Sequence, residues 1–197
     1  MANLGIHKYI SFNSLIGEIG IVWNSKTDIL EQVLLPEVST RKQNCGKIRF
    51  NGVITETNPN EFIYKTMSDI KDIILGYDVK FDINKLDFTD LTEFQQDVLK
   101  KQQEIPYGKV TSYKKLAEMI GKPRSARPVA NVLSNNYYPL VIPCHRTVRS
   151  DWTMGGYVGS TNNQYKQFLL ENEGVIIRKG IISKESRYSE ELNKNTL

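Results

Sequence analysis

The chain is poor in cysteine and histidine, with only Cys45, Cys144, His7 and His145 among its 197 residues. Two cysteines are too few for a disulfide framework, and a reducing compartment would keep both as thiols. Cys144 and His145 are sequence neighbours. In an extended segment they would point to opposite sides and could not readily share one ion, so no metal site is expected. No apolar run approaches the roughly 20 residues that a membrane helix needs. Met1 to Ile10 lacks the basic start and apolar stretch of a signal peptide. Internal repeats and low-complexity tracts are also missing. The expected setting is the inside of a cell, with no membrane partner.

What is present reads as an ordinary globular chain, with 40% hydrophobic and 24% charged residues. Its length suits one large domain or two small ones. The net charge of +4 is modest but uneven. Lys100, Lys101, Lys109, Lys114, Lys115, Lys122, Arg124, Arg127, Arg146 and Arg149 fall within one stretch, opposed there only by Glu104 and Glu118. Such a stretch suits either a polyanion partner or a solvated basic surface.

Up to about residue 85 the pattern mixes strands and helix. Lys8–Phe12 and Gly17–Trp23 carry β-branched and aromatic residues, with Asn13 and Ser14 as turn material between them. Ile29–Leu35 is a third strand candidate, stopped by Pro36. Ile63, Met67, Ile70 and Ile74 predict a helix over 61–75, ended by Gly76. Residues 1–85 are therefore expected to form a small α/β scaffold domain, followed by a second domain over 86–177. Residues 178–197, rich in Lys, Ser, Glu and Asn, are expected to be a flexible tail.

In the second part, Thr92 with Gln95 predicts a capping box, with Phe94, Val98 and Gln102 on one face of the helix behind it. Pro106-Tyr107-Gly108 breaks that helix. Ser112 caps a short helix over 113–120, with Leu116 and Ile120 inward. Gly121-Lys122-Pro123 makes a turn, and Ser125 opens a helix to about Ser134, with Pro128 in its first turn. Two short helices about a tight turn form a helix-turn-helix, which by itself serves many proteins without DNA partners. Leu140-Val141-Ile142 then reads as an apolar strand leading to Pro143-Cys144-His145-Arg146. A lone cysteine in that setting is commonly inert core. Here His145 and Arg146 could stabilise a thiolate and lower a pKa that starts near ~8.5.

Ile142-Pro143-Cys144-His145-Arg146 resembles the active-site motif of the O6-alkylguanine-DNA alkyltransferases, also called methylated-DNA–protein-cysteine methyltransferases. Ile105-Pro106-Tyr107-Gly108-Lys109-Val110 with Ser112-Tyr113 is similar to that family's lead into its helix-turn-helix. Gly121-Lys122-Pro123 with Ala126-Arg127 resembles its turn and recognition helix, and Asn135-Asn136 its approach to the cysteine. Gly155-Gly156-Tyr157 with Gly159 resembles the loop beyond, and Leu169-Leu170 with Glu173-Gly174 the closing helix. The resemblance covers about residues 86 to 175.

It implies a small, ribonuclease-H-like N-terminal α/β domain before a mostly helical C-terminal domain that carries the helix-turn-helix and the active cysteine. Cys144 would accept the alkyl group, His145 would take the thiol proton through a water, and Glu173 would orient His145. Tyr113 would donate to guanine N3, and Asn136 would brace the active-site turn. Arg127 would enter the duplex in place of the extruded nucleotide. Ser125, Ala126 and Ala130 would allow close approach to the minor groove, with Arg146 a further DNA contact. Gly156, Tyr157, Val158 and Trp152 would line the pocket for the flipped base. The implied partner is double-stranded DNA carrying O6-alkylguanine, met by a monomer without any cofactor, in the cytoplasm of a prokaryote or the nucleus of a eukaryote. Trp152 stands where a glycine is common, and Pro128 where alanine is typical. Three competing readings are a non-catalytic lesion binder, which lacks such a cysteine, a cysteine hydrolase, which would turn over, and a DNA-binding regulator, which would survive Cys144→Ala.

Overall fold

The computed structural model describes residues 6–36, 54–55, 58–157 and 164–188. Strands β1 (His7–Ser14) and β2 (Gly17–Asn24) form a hairpin, paired from His7 with Asn24 to Ser14 with Gly17. The turn is Leu15–Ile16, not the expected Asn13–Ser14. The Ser14 hydroxyl donates to Gly17 O at 2.7 Å and accepts from Ile16 N at 3.3 Å, so it fastens the turn from the strand end. β3 (Ile29–Leu34) runs antiparallel to β2 and stops before Pro36, whereas β4 (Ile54–Thr55) lies parallel to β1. The sheet order is β3-β2-β1-β4.

Helix α1 (Glu61–Leu75) has the predicted span. Asn60 accepts from Ile63 N at 3.0 Å at its start, and Gly76 ends it in the left-handed region at φ 88°. Ile63, Ile70, Ile73 and Ile74 are buried in the main core. A Cβ at Gly76 would come within 2.4 Å of Asn172 O, so only glycine lets this helix end reach that carbonyl.

Helix α2 (Glu93–Gln103) opens with the predicted Thr92–Gln95 capping box and buries Val98, Leu99 and Gln102. Strand β5 (Thr111–Ser112) leads directly into α3 (Tyr113–Met119), and Ser112 Oγ accepts from Lys115 N at 3.2 Å. Gly121, at φ 71°, turns the chain toward α4 (Ala126–Ser134), completing the helix-turn-helix. Strand β6 (Thr147–Val148) pairs parallel with β5. Helix α5 (Gln164–Asn172) closes this half.

Two expectations need correction. Leu140–Ile142 is a tight turn and not a strand: Leu140 sits at φ 72°, and Ile142 N donates to Tyr138 O at 2.7 Å. The chain then enters a 3-10 turn over Cys144–Arg146, so Cys144 and His145 do not lie in an extended segment. The second correction concerns the tail, which is built into the fold as far as residue 188. β7 (Ile177–Arg178) and β8 (Ile181–Ile182) form a hairpin whose turn residues, Lys179 and Gly180, sit at φ 52° and 76°. That pair of left-handed residues matches a tight hairpin turn, and buried Ile182 supplies the anchoring side chain.

A single main core crosses the expected boundary near residue 85, joining Trp23, Leu30 and Ile63 with Val98, Leu116, Val129, Tyr138, Cys144 and Leu169. A smaller core holds Val110, Val148, Met154, Leu170, Val175 and Ile182, with Trp152 and Ile177 packed on it. Among the described residues no helix is long and apolar enough to cross a membrane.

Candidate active site

Cys144 is only 4% exposed, at the start of the 3-10 turn. Its approach is fixed by side chains from two directions. Asn136 Nδ2 donates to Ile142 O at 3.1 Å while its Oδ1 accepts from Tyr138 N at 2.9 Å, so one buried amide spans the turn before the cysteine. Gln102 on α2, fully buried, donates to Pro143 O at 2.8 Å and accepts from Thr147 Oγ1. Pro143 and Thr147 bracket the 3-10 turn, so α2 holds it at both ends.

Behind the cysteine lies a buried polar chain. His145 Nε2 meets Glu173 Oε1 at 2.8 Å, and Glu173 also receives Arg146 through Nε and Nη2. Arg146 Nη1 donates to Ile105 O at 2.8 Å. His145 is wholly buried, and among the described residues its Nδ1 has no hydrogen-bond partner. With Nε2 bonded to a carboxylate, the proton of a neutral ring sits on Nε2 and the lone pair on Nδ1. That nitrogen is therefore the available base.

The charges at rest differ from the sequence expectation. Burial pushes the Cys144 thiol up, against the opposing pull of its hydrogen bond with Asn136, the Lys166 charge, its own backbone and Tyr157. Arg146 is spent on Glu173 and does not serve the sulfur. Burial also pushes His145 down, although Glu173 works the other way. The resting pair is thus a neutral thiol and a neutral imidazole, not a preformed thiolate. Burial alone would raise Glu173, yet His145 and Arg146 together hold its carboxyl at about 2.

Lys166 was not foreseen. It is 1% exposed on α5, and its Nζ donates to Thr147 O at 2.6 Å and to Gly156 O at 3.4 Å. Burial lowers its pKa to about 8, with the Cys144 charge acting to raise it. The only sequence signal was its place one turn before the inward Leu169 and Leu170. Gln102 carries a similar signal, since it shares one face of α2 with Phe94 and Val98.

Tyr113, half-buried at the start of α3, has its pKa raised to about 12 by burial and then by Cys144, so it remains a proton donor. Tyr157 is 6% exposed, stands edge-on to His145 with ring centroids 6.4 Å apart, and belongs to the same core cluster as Cys144. Val158 lies outside the described residues, as does Cys45. Arg127 is exposed on α4, with Ser125, Ala126 and Ala130 half-buried beside it. Arg146 is the clear correction. Expected at a DNA surface, it is 9% exposed and bonded inside the protein. Trp152 packs on the smaller core, over Arg187 at 4.3 Å and near Lys115 at 5.8 Å, not in the cluster that holds Cys144. Among the described residues no group of three or more His, Cys, Asp or Glu could hold a metal ion.

This arrangement suits nucleophilic attack by sulfur, with a carboxylate-oriented base to take its proton. The sequence profile described as "6-O-methylguanine DNA methyltransferase, DNA binding domain" matches residues 93–175. The methylated-DNA–protein-cysteine methyltransferase of Methanothermobacter thermautotrophicus is 38% identical over 159 residues, covering 80% of each chain. That of Shigella flexneri is 41% identical over 86 residues, which are 44% of this chain and 49% of its own. Among solved structures, Mycobacterium tuberculosis OGT in complex with DNA superposes with a TM-score of 0.68 at 28% identity, covering 84% of this chain and 92% of that one. Similarity to the Methanothermobacter thermautotrophicus protein of this degree, along four-fifths of both sequences, decides the matter: the chain belongs to the methylated-DNA–protein-cysteine methyltransferase family.

Proposed function

We propose that this protein repairs DNA by direct reversal, moving the alkyl group of an O6-alkylguanine onto Cys144. The observation that carries the reading is the buried Cys144 followed by His145, whose Nε2 is fixed on Glu173 while Nδ1 is left as a base. In the transfer, the thiol proton passes to His145, through a water. The sulfur attacks the saturated carbon bound to O6; the S–C bond forms as the O–C bond breaks. Tyr113 gives its proton to guanine N3, so the base departs neutral. Its pKa of about 12 keeps that proton available beforehand. Lys166 stabilises the sulfur's developing negative charge from within the fold.

A buried sulfur cannot reach an O6 atom stacked in a duplex, so the nucleotide must be flipped out. The helix-turn-helix enters the minor groove, where little sequence information is displayed and any guanine can be served. Exposed Arg127 fills the place of the extruded base, and Ser125, Ala126 and Ala130 permit close approach. Gly156 and Tyr157 form the described part of the loop over the flipped base, which continues into Val158.

The product is a thioether, with no carbonyl for water to attack. The protein is consumed in one turnover and needs no cofactor. It works as a monomer on double-stranded DNA, in the cytoplasm of a prokaryote or the nucleus of a eukaryote. The N-terminal part is a scaffold; its sheet order β3-β2-β1-β4, with an antiparallel meander and a fourth strand parallel to the first, supports the ribonuclease-H-like reading.

Incubation with a duplex carrying O6-methylguanine, followed by mass analysis of the Cys144 peptide, tests this. The expected result is a stoichiometric gain of one methylene and an intact guanine. An unmodified peptide with the lesion still in place overturns the reading.

A further inference from the structure

The loop between β6 and α5 contains a residue held in an unfavourable backbone conformation by groups from the C-terminal hairpin. Trp152 sits at φ 67°, a left-handed geometry that bulky side chains rarely adopt. Its N–H donates to Arg149 O at 3.0 Å, and its carbonyl accepts from Ile182 N at 3.0 Å. Arg187 stacks its guanidinium on the Trp152 ring at 4.3 Å while Nε and Nη2 bind Ile182 O at 3.1 and 2.8 Å. One arginine thus grips both the ring and the strand that grips the backbone of the same tryptophan.

The hairpin reaches both segments that enter the site. Val110 N donates to Ser186 O, and Tyr188 N to Val110 O, each at 2.8 Å, immediately before β5 and Tyr113. On the other side, the turn at Trp152 passes through Gly155, at φ 70°, to Gly156, whose carbonyl receives Lys166 Nζ. Tyr157 follows, buried edge-on to His145 with ring centroids 6.4 Å apart, in the core cluster that also holds Cys144.

We propose that Arg187 is a positioning residue for alkyl transfer: stacked on Trp152 and bonded to Ile182 O, it holds the 149–157 loop in the conformation that packs Tyr157 edge-on against His145, the neighbour of Cys144. The consequence for transfer rests on the proposed role of Cys144, whereas the hold on the loop does not.

The test uses the full chain in a Cys45→Ser background, with Arg187→Ala, Trp152→Gly and the double variant. Ile70→Val, which removes one core methylene in α1, serves as a control for lost stability. Labelling of Cys144 by iodoacetamide reads the loop without any DNA. Methyl transfer at saturating duplex reads its effect on chemistry. Arg187→Ala is expected to speed labelling several-fold and to slow transfer about tenfold or more, the scale set by a small misplacement of reacting groups. In the Trp152→Gly background, where glycine needs no external hold, Arg187→Ala should change neither rate further. Unchanged labelling, equal acceleration in Ile70→Val, or fully additive effects of Arg187→Ala and Trp152→Gly would overturn the proposal. If the parent leaves O6-methylguanine untouched, the repair reading fails, and labelling still decides whether Arg187 holds the loop.

Discussion

Arg146 grips Glu173 at two points, Nε to Oε2 at 2.8 Å and Nη2 to Oε1 at 2.9 Å, between side chains only 11% and 2% exposed. A carboxylate offers acceptors to this guanidinium and to His145 together. A glutamine amide would turn a donor toward one of them.

Glu173→Gln should therefore cost stability as well as rate. Removing one partner of a buried ion pair leaves an uncompensated charge, worth about 3–5 kcal/mol. Urea unfolding of wild type and variant checks this. A loss under about 1 kcal/mol would mean that the grip contributes little beyond a surface pair.

Acid should act through two groups in sequence. Burial holds His145 below its ordinary 6.5, so the folded protein keeps it neutral where the unfolded chain takes up a proton. This contribution to stability is complete above 6.5 and declines as pH falls below it. Glu173, held at about 2 against an ordinary 4.5, adds stability that is present above 4.5 and lost as pH falls toward 2. Permanently charged Arg146 keeps this direction whether or not His145 carries a proton. Transfer, which needs the neutral imidazole, should stay level down through pH 6.5 and fall only in more acidic solution. Rates measured between about pH 5 and 8 test this, and a midpoint at or above the ordinary histidine value would contradict it.

Lys166→Met separates packing from charge. Methionine can occupy the same buried position without the cost of a buried ammonium, so stability should change by less than about 2 kcal/mol. The sulfur loses the cation that favours its ionised form. The pH profile of Cys144 alkylation should accordingly move upward. A profile identical to wild type would remove Lys166 from the chemistry.

Arg127→Ala should leave folding untouched, within about 0.5 kcal/mol, because the side chain is exposed on α4. Transfer from a duplex should fall steeply, while transfer from the free base O6-benzylguanine, which needs no flipping, should be nearly unchanged. Equal losses on both substrates would refute the proposed role in extrusion.

The parts of this fold that were readable from sequence are those decided by neighbours. Gly76 ends α1, Thr92 and Gln95 open α2, and Ser112 opens α3, each through hydrogen bonds spanning a few residues. The Cys144-His145 pair was legible for the same reason. Arg146 was not, because its partners, Glu173 and the Ile105 carbonyl, are 27 and 41 residues away, and a basic residue in a basic stretch looks like a surface group. Leu140–Ile142 has strand composition, yet the Asn136 amide ties Tyr138 N to Ile142 O and holds the backbone between them in a turn. The hairpin was hidden by the polar residues that follow it, although Lys179-Gly180 between isoleucine-bearing pairs is a turn signal.

The hydrogen bond from Val33 N to Tyr137 O, at 2.8 Å, and the bridge between Leu30 and Leu86 have a consequence for association. β3 is an outer strand, and uncovered outer strands invite pairing between molecules. Here two segments share that margin, Tyr137 on the approach to Cys144 and Leu86–Asp87 ahead of α2. Loosening the approach to the nucleophile would uncover a row of backbone donors and acceptors, so damage at the reactive centre and a tendency to aggregate should arise together.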